Sequence, residues 1–211
     1  TTINVDDAPD ISLAVSAAAD PICEGSSTTV DVALSESGYS YQLRNDAGDV
    51  DVGGPIIGTG GTINLSTGAL STTTTFNVLV TNGVCMIELN TLATVNVDAA
   101  PDPALAVSAA ADPICEGSST TIDVDLSESG YSYQLRNDVG DVNVGSPILG
   151  TGGTINLPTG ALTTTTTFNV LVTNGTCNVK LGALATVNVD AAPDPGLAVS
   201  VAADPICEGS S

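Results

Sequence analysis

The chain has 211 residues, of which 24 are acidic, three are basic and none is histidine, so its formal net charge is −21. Phosphate-neutralising nucleic-acid binding, a Ser-His or Cys-His catalytic pair, a His-bearing zinc site and a P-loop, which needs a lysine after a Gly-rich turn, are all excluded. The 42% hydrophobic content is too high for charge-driven disorder, and a folded extracellular protein of β type is the leading class.

Alternation of apolar and polar residues predicts about seven strands in the first hundred residues, at roughly 11–17, 28–34, 39–45, 49–52, 61–65, 73–81 and 86–97. Between them stand turn signals: Glu36-Ser37-Gly38, Asp46-Ala47-Gly48-Asp49, Gly58-Thr59-Gly60-Gly61 and Thr81-Asn82-Gly83. Thr, Val and Ile dominate the strands themselves. No stretch carries a 3.6-residue apolar period with caps, so helix content close to nil is expected.

The same elements then return. Pro21-Ile22-Cys23-Glu24-Gly25-Ser26-Ser27 recurs as residues 113–119 and again as 205–211, a period of 92 residues each time. Residues 10–101 and 102–193 align without a gap and differ at 16 positions. Residues 1–9 match the end of a repeat and 194–211 the start of one, so a longer tandem array is expected. The fold expected is all-β: tandem immunoglobulin-like sandwiches of 92 residues forming a rod-like array. Near-identical neighbours suit a spacer, stalk or multivalent binder better than an enzyme, which rarely needs two adjacent copies of one active site. The junction 98–103 holds two prolines and no glycine, so a short, semi-rigid joint is expected. Each module should add on the order of 35–45 Å.

Cys23 and Cys85 are 62 residues apart, as are Cys115 and Cys177. In an exported protein this spacing reads as disulfides Cys23–Cys85 and Cys115–Cys177, with Cys207 paired beyond residue 211. A loop of that size is worth roughly 4 kcal/mol in the chain-entropy model. Bonding between modules or between chains, and reduced cysteines, are the alternatives.

The strings Cys-Glu-Gly-Ser-Ser-Thr-Thr, Gly-Tyr-Ser-Tyr-Gln-Leu-Arg-Asn, Gly-Thr-Gly-Gly-Thr-Ile-Asn-Leu and Thr-Thr-Thr-Phe-Asn-Val-Leu-Val-Thr-Asn, followed by a closing Cys, cover both repeats. They resemble the immunoglobulin-like and PKD-like repeats of giant Bacteroidota cell-surface proteins. The resemblance implies export by type IX secretion, a bacterial cell-surface location and an association with gliding motility or adhesion. Where that family has an aromatic residue after Tyr-Gln, this chain has Leu43 and Leu135. No uninterrupted apolar segment approaches 18 residues, so no membrane insertion is expected.

Acidic residues are the only plausible site material. Repeat 1 has ten acids against one base and repeat 2 nine against two. One group lies at the module junctions: Asp98 and Asp102, with Asp6, Asp7 and Asp10 before them and Asp190 and Asp194 after. A second is the turn bearing Asp46, Asp49 and Asp51, repeated as Asp138, Asp141 and Asn143. A third joins Asp20 to Glu24, then Asp112 to Glu116 and Asp204 to Glu208. Calcium takes six to eight oxygen ligands and suits carboxylates on loops, so Ca2+ is the one cofactor these residues suggest. The plainer reading makes them solvated turn and edge residues that keep strands from pairing edge to edge. Glycosidase chemistry by paired carboxylates is disfavoured, because no aromatic platform for a sugar ring accompanies them. The function expected is therefore non-enzymatic: a spacer or stalk of a large extracellular adhesin or surface filament. The rivals are a repeat that binds glycans or proteins by multivalency, and a segment of a filament that assembles with neighbouring subunits. Further copies of the repeat in the same chain are the expected partners. A binder's specificity would sit in the most variable stretch, residues 84–91 against 176–183.

Overall fold

A computed structural model describes residues 7–198, 200 and 208. The described residues are all-β: they contain no helix, and their 22 strands build two sandwiches alike. The first holds β1 (Val15–Ala17), β2 (Ile22–Cys23), β3 (Ser27–Val32), β4 (Ser40–Asn45), β5 (Val50–Asp51), β6 (Ile56–Ile57), β7 (Ile63–Ala69), β8 (Thr74–Thr81), β9 (Met86–Glu88), β10 (Ala93–Val95) and β11 (Val97–Asp98). The second holds β12 (Val107–Ala109), β13 (Ile114–Cys115), β14 (Thr121–Val124), β15 (Ser132–Asn137), β16 (Val142–Asn143), β17 (Ile148–Leu149), β18 (Ile155–Pro158), β19 (Thr166–Thr173), β20 (Asn178–Lys180), β21 (Ala185–Val187) and β22 (Val189–Asp190). The readings of residues 1–9 and 194–211 as partial repeats lie largely outside the described residues, as does Cys207.

Three departures from the expected strands have local causes. The strand expected to reach residue 34 ends at Val32. Leu34 takes the left-handed region at φ 53°, as does Leu126 in the second sandwich, and a left-handed residue cannot continue a pleated strand. The long strand expected over 86–97 breaks into β9, β10 and β11, because β9 pairs with the upper half of β8 and β10 with its lower half. Strands β2 and β6, two residues each, are too short for alternation to reveal.

In the first sandwich one sheet has the order β1-β3-β7. The other runs β10-β8-β4-β5, with β6 also on β4 and β9 also on β8. Side chains alternate as the pleat requires. Val30 and Val32, Tyr41 and Leu43, Ile63 and Leu65, and Phe76, Val78 and Val80 turn inward and are buried. Their equivalents Ile122, Tyr133, Leu157 and Phe168 build a separate core in the second sandwich. Gly58 marks a close approach between the end of β6, the β3–β4 loop and the Tyr41 ring of β4. A Cβ there would land on the Glu36 carbonyl oxygen and 2.8 Å from the Tyr41 ring, and Gly150 meets Glu128 and Tyr133 in the same way.

The register gives each sandwich two ends. β4 and β8 pair antiparallel from Ser40↔Thr81 at the upper end to Asn45↔Phe76 at the lower. β10 leads downward along β8, from Ala93↔Phe76 to Val95↔Thr74. β11, and β2 that pairs with it in parallel (Val97↔Ile22, Asp98↔Cys23), therefore close the lower end. Cys85, in the turn joining β8 to β9, lies at the upper end.

Candidate functional site: the junction between modules

The lower end of the first sandwich meets the upper end of the second. Cys23 is disulfide-bonded to Cys177, 154 residues away, with their Cα atoms 5.0 Å apart. The expected pairs Cys23–Cys85 and Cys115–Cys177 are therefore corrected: Cys85 and Cys115 are free thiols. The reason is geometric. Within one module the two cysteines occupy opposite ends, separated by the length of β8, about 24 Å for eight residues. A disulfide needs Cα atoms within about 7 Å. Only the next module brings an upper-end cysteine to a lower-end one.

Hydrogen bonds from the second sandwich grip the connecting segment. The Tyr131 hydroxyl donates to the Ala99 carbonyl at 3.0 Å, and Asn174 Nδ2 donates to the same oxygen at 3.3 Å. Asn174 Oδ1 also accepts from the Cys177 amide at 2.7 Å, which fixes the cysteine-bearing turn. The Cys177 sulfur lies 3.6 Å from the Asp98 carbonyl oxygen. Burial, followed by the charges of Glu128, Asp98 and Glu24, pushes the Tyr131 hydroxyl above its ordinary 10.0. Two of those three carboxylates belong to the first sandwich. The same clamp recurs at the upper end of the first sandwich, where Tyr39 and Asn82 both donate to the Asp7 carbonyl, at 3.2 and 3.1 Å.

Asp98 and Asp190 bond through their backbone carbonyls, and Asp10, Asp102 and Asp194 through their carboxylates. The Asp98 carbonyl accepts from the Glu24 amide at 2.8 Å, and the Asp190 carbonyl from the Glu116 amide at 2.8 Å. The side chains of Asp10, Asp102 and Asp194 each accept from an amide two residues on, at 2.8 Å. Asp20 accepts from the Asn96 amide at 2.6 Å and Asp112 from that of Asn188 at 2.6 Å. Asp6, Asp204 and Cys207 lie outside the described residues.

The turn after β4 gathers charge around a buried asparagine. Asn77 Nδ2 donates to Asp49 at 2.7 Å and to Asp46 at 3.2 Å, while its oxygen accepts from Arg44 Nε at 3.1 Å. Arg44 pairs with Asp49 at 3.4 Å and with Glu88. In the second sandwich Asn169 holds Asp138 and Asp141 at 2.9 and 2.8 Å and accepts from Arg136 at 3.0 Å. Lys180, at the position of Glu88, donates to Asp138 at 2.8 Å. That bond, then the one from Asn169, holds the Asp138 carboxyl below its ordinary 3.8. Asp51 and its counterpart Asn143 are exposed on the short outer strands β5 and β16. The structure thus joins Asp46 to Asp49, and Asp138 to Asp141, around a guanidinium that the sequence already supplies. Among the described residues, no group of three or more His, Cys, Asp or Glu is arranged to hold a metal ion.

Sequence reasoning missed the roles of Tyr39, Tyr131, Asn82 and Asn174. The available signal was the recurrence of Tyr-Ser-Tyr and Thr-Asn-Gly at equivalent positions of both repeats.

No protein-family model matches the chain, and no curated protein matches it. Among solved structures it is similar to the I-band fragment I67-I69 of titin, at 10% identity and a TM-score of 0.50. The match covers 85% of this chain and 65% of that one, so the chain spans about two thirds of the titin fragment. It is also similar to the fibronectin(III)-like modules of Clostridium thermocellum CbhA (11% identity, TM-score 0.46, covering 84% and 95%). Extracellular domains 3–5 of Drosophila OTK match at 11% identity and a TM-score of 0.45, covering 84% and 62%. The likeness is one of fold: tandem immunoglobulin-like sandwiches.

Proposed function

We propose that the chain is a structural spacer, a segment of an extracellular stalk or filament in which immunoglobulin-like modules are coupled end to end. The observation that carries this reading is the junction. A disulfide and a two-donor clamp on the Ala99 carbonyl restrain each module against its neighbour. That investment serves transmission of length and orientation. A beads-on-a-string binder, by contrast, gains avidity from free joints. The net charge of −21 keeps such chains apart in solution. Projection of an adhesive tip from a bacterial surface, with export by type IX secretion, is the biological setting the Bacteroidota resemblance supports. Small-angle scattering tests the reading. A single, sharply defined maximum dimension is expected, about 80 Å for two modules, and reduction should broaden it. Selective binding of the chain on a glycan array, with a joint as loose before reduction as after it, would replace the spacer with the binder.

A further inference from the structure

The disulfide changes the covalent topology of the chain. Cys23 and Cys177 are 154 residues apart, so their bond closes one ring that takes in every strand from β3 to β19. Those strands build most of both cores. What the ring leaves outside is a short strap. Residues 7–23 run down the first sandwich, from the Asp7 carbonyl that Tyr39 and Asn82 hold at the upper end to β2 at the lower end. β1 lies on this course, antiparallel to β3. The disulfide then crosses the joint to Cys177, at the upper end of the second sandwich. Residues 177–190 run down that sandwich through β20, β21 and β22, and β22 pairs with β13 at its lower end. Backbone and disulfide cross the joint side by side. Asp98 stands opposite Cys23 in the β2–β11 ladder, and its carbonyl oxygen lies 3.6 Å from the Cys177 sulfur.

We infer that this strap is a length limiter: under tension it carries force past both cores, and the pair of modules stretches no further than the strap allows. Once the segments outside the ring are straight, force passes from backbone to backbone through the two sulfurs. The ring itself then bears no end-to-end tension. An extended chain spans about 3.3–3.6 Å per residue, so the ring withholds about 500–550 Å of length. Two intramodule bonds would do less, since each would seal only 62 residues and leave the joint in the line of force. A dithiol reductant lifts the limit. One of its thiolates attacks the sulfur of half-buried Cys23 and expels the Cys177 thiolate. Its second thiolate displaces Cys23 and closes the reagent's own disulfide, and the two protons of the dithiol end on the two cysteine sulfurs. The inference rests on the spacer reading and extends it from length at rest to length under load. Its failure would leave the scattering measurement, made at zero force, untouched.

The test is single-molecule pulling on the full chain, with an inert handle on each terminus and free thiols capped by N-ethylmaleimide. Without reductant the chain should stop lengthening at about 200 Å, the span of residues 1–23 and 177–211. Dithiothreitol should then release about 500–550 Å more, to a final length of about 700–750 Å. The double variant Cys23→Ser, Cys177→Ser should reach that final length with no reductant. A release of about 400–450 Å on reduction, the length that two 62-residue rings would hold, would overturn the inference. So would an unreduced chain that already reaches the final length, or a peptide map of the same sample in which Cys23 is joined to Cys85.

Discussion

Asn77 and Asn169 show how one buried polar residue organises several charges. Each is buried between two core residues of its strand yet faces outward, beneath an arginine and two aspartates. Replacing Asn77 by Ala leaves Arg44 Nε and Asp49 short of a partner, and a lost bond to a charged group costs about 1–3 kcal/mol. The expected result is a fall of that size in denaturant stability, confined to the first module. The Glu88/Lys180 exchange is milder. Both side chains are about half exposed, and exposed pairs contribute little. Lys180→Glu, which recreates the arrangement of the first module, should leave the melting temperature of the second module almost unchanged.

The buried tyrosines fix the alkaline limit. Burial, and beyond it the charges of Glu36 and Glu128, raise Tyr41 and Tyr133 above 10.0, against the lowering effect of the backbone N–H each accepts. A raised folded pKa means the protein is fully stabilised below 10.0 and loses that stability as pH climbs through the folded value. Asp138, lowered from 3.8, and Lys180, raised from 10.5, set the opposite ends: stability through that pair goes as pH falls below 3.8 or rises past 10.5. Denaturant midpoints should therefore hold level near neutrality and fall above about pH 10. With Tyr39→Phe and Tyr131→Phe in place, the tyrosinate absorbance of Tyr41 and Tyr133 should rise together with unfolding, not before it.

At the scale of elements, the turns bracket the strands more tightly than alternation suggests. Gly58 sits where β6 ends, and its missing Cβ lets the Glu36 carbonyl and the Tyr41 ring pack against the backbone. Gly58→Ala should destabilise the first module by about 1–3 kcal/mol through overpacking, read as a lower melting temperature. Leu34 is 74% exposed and left-handed, so its side chain contributes little packing and its backbone is strained. Leu34→Gly should raise stability by up to about 1 kcal/mol, measured in the same way. The acidic turn after β4 is already neutralised in part by Arg44 or by Arg136 and Lys180. Calorimetric titration with calcium should accordingly give no heat that Asp49→Asn abolishes.

At the scale of the whole molecule, the disulfide couples modules and does not hold either core together, since each sandwich has its own buried cluster. Cys177→Ser should therefore preserve strand content by circular dichroism while widening the distribution of distances between labels placed on the two modules. A variant that unfolds the second sandwich outright would show that the bond stabilises the module itself. The variable stretch 176–183, where a binder's specificity was expected, begins in the turn that meets the first module. The residues that make the joint there, Asn174 and Cys177, are the same in both repeats.

The sequence by itself determined the β class, the 92-residue period and the inward residues, because alternation and repetition are local properties written in every strand. Val30, Val32, Tyr41 and Leu43 were legible in this way. It also exposed the acids, but not that Arg44 and Asn77 would gather Asp46 and Asp49, since those four residues meet only when β4 and β8 pair. The cysteine pairing was beyond it for a sharper reason. In a periodic chain a cysteine equivalent to Cys85 recurs 92 residues on as Cys177, so spacing cannot say which of the two Cys23 meets. Only the tertiary structure, by setting the two cysteines of a module at opposite ends of a β8-length strand and docking lower end to upper end, decided that the bond runs between modules.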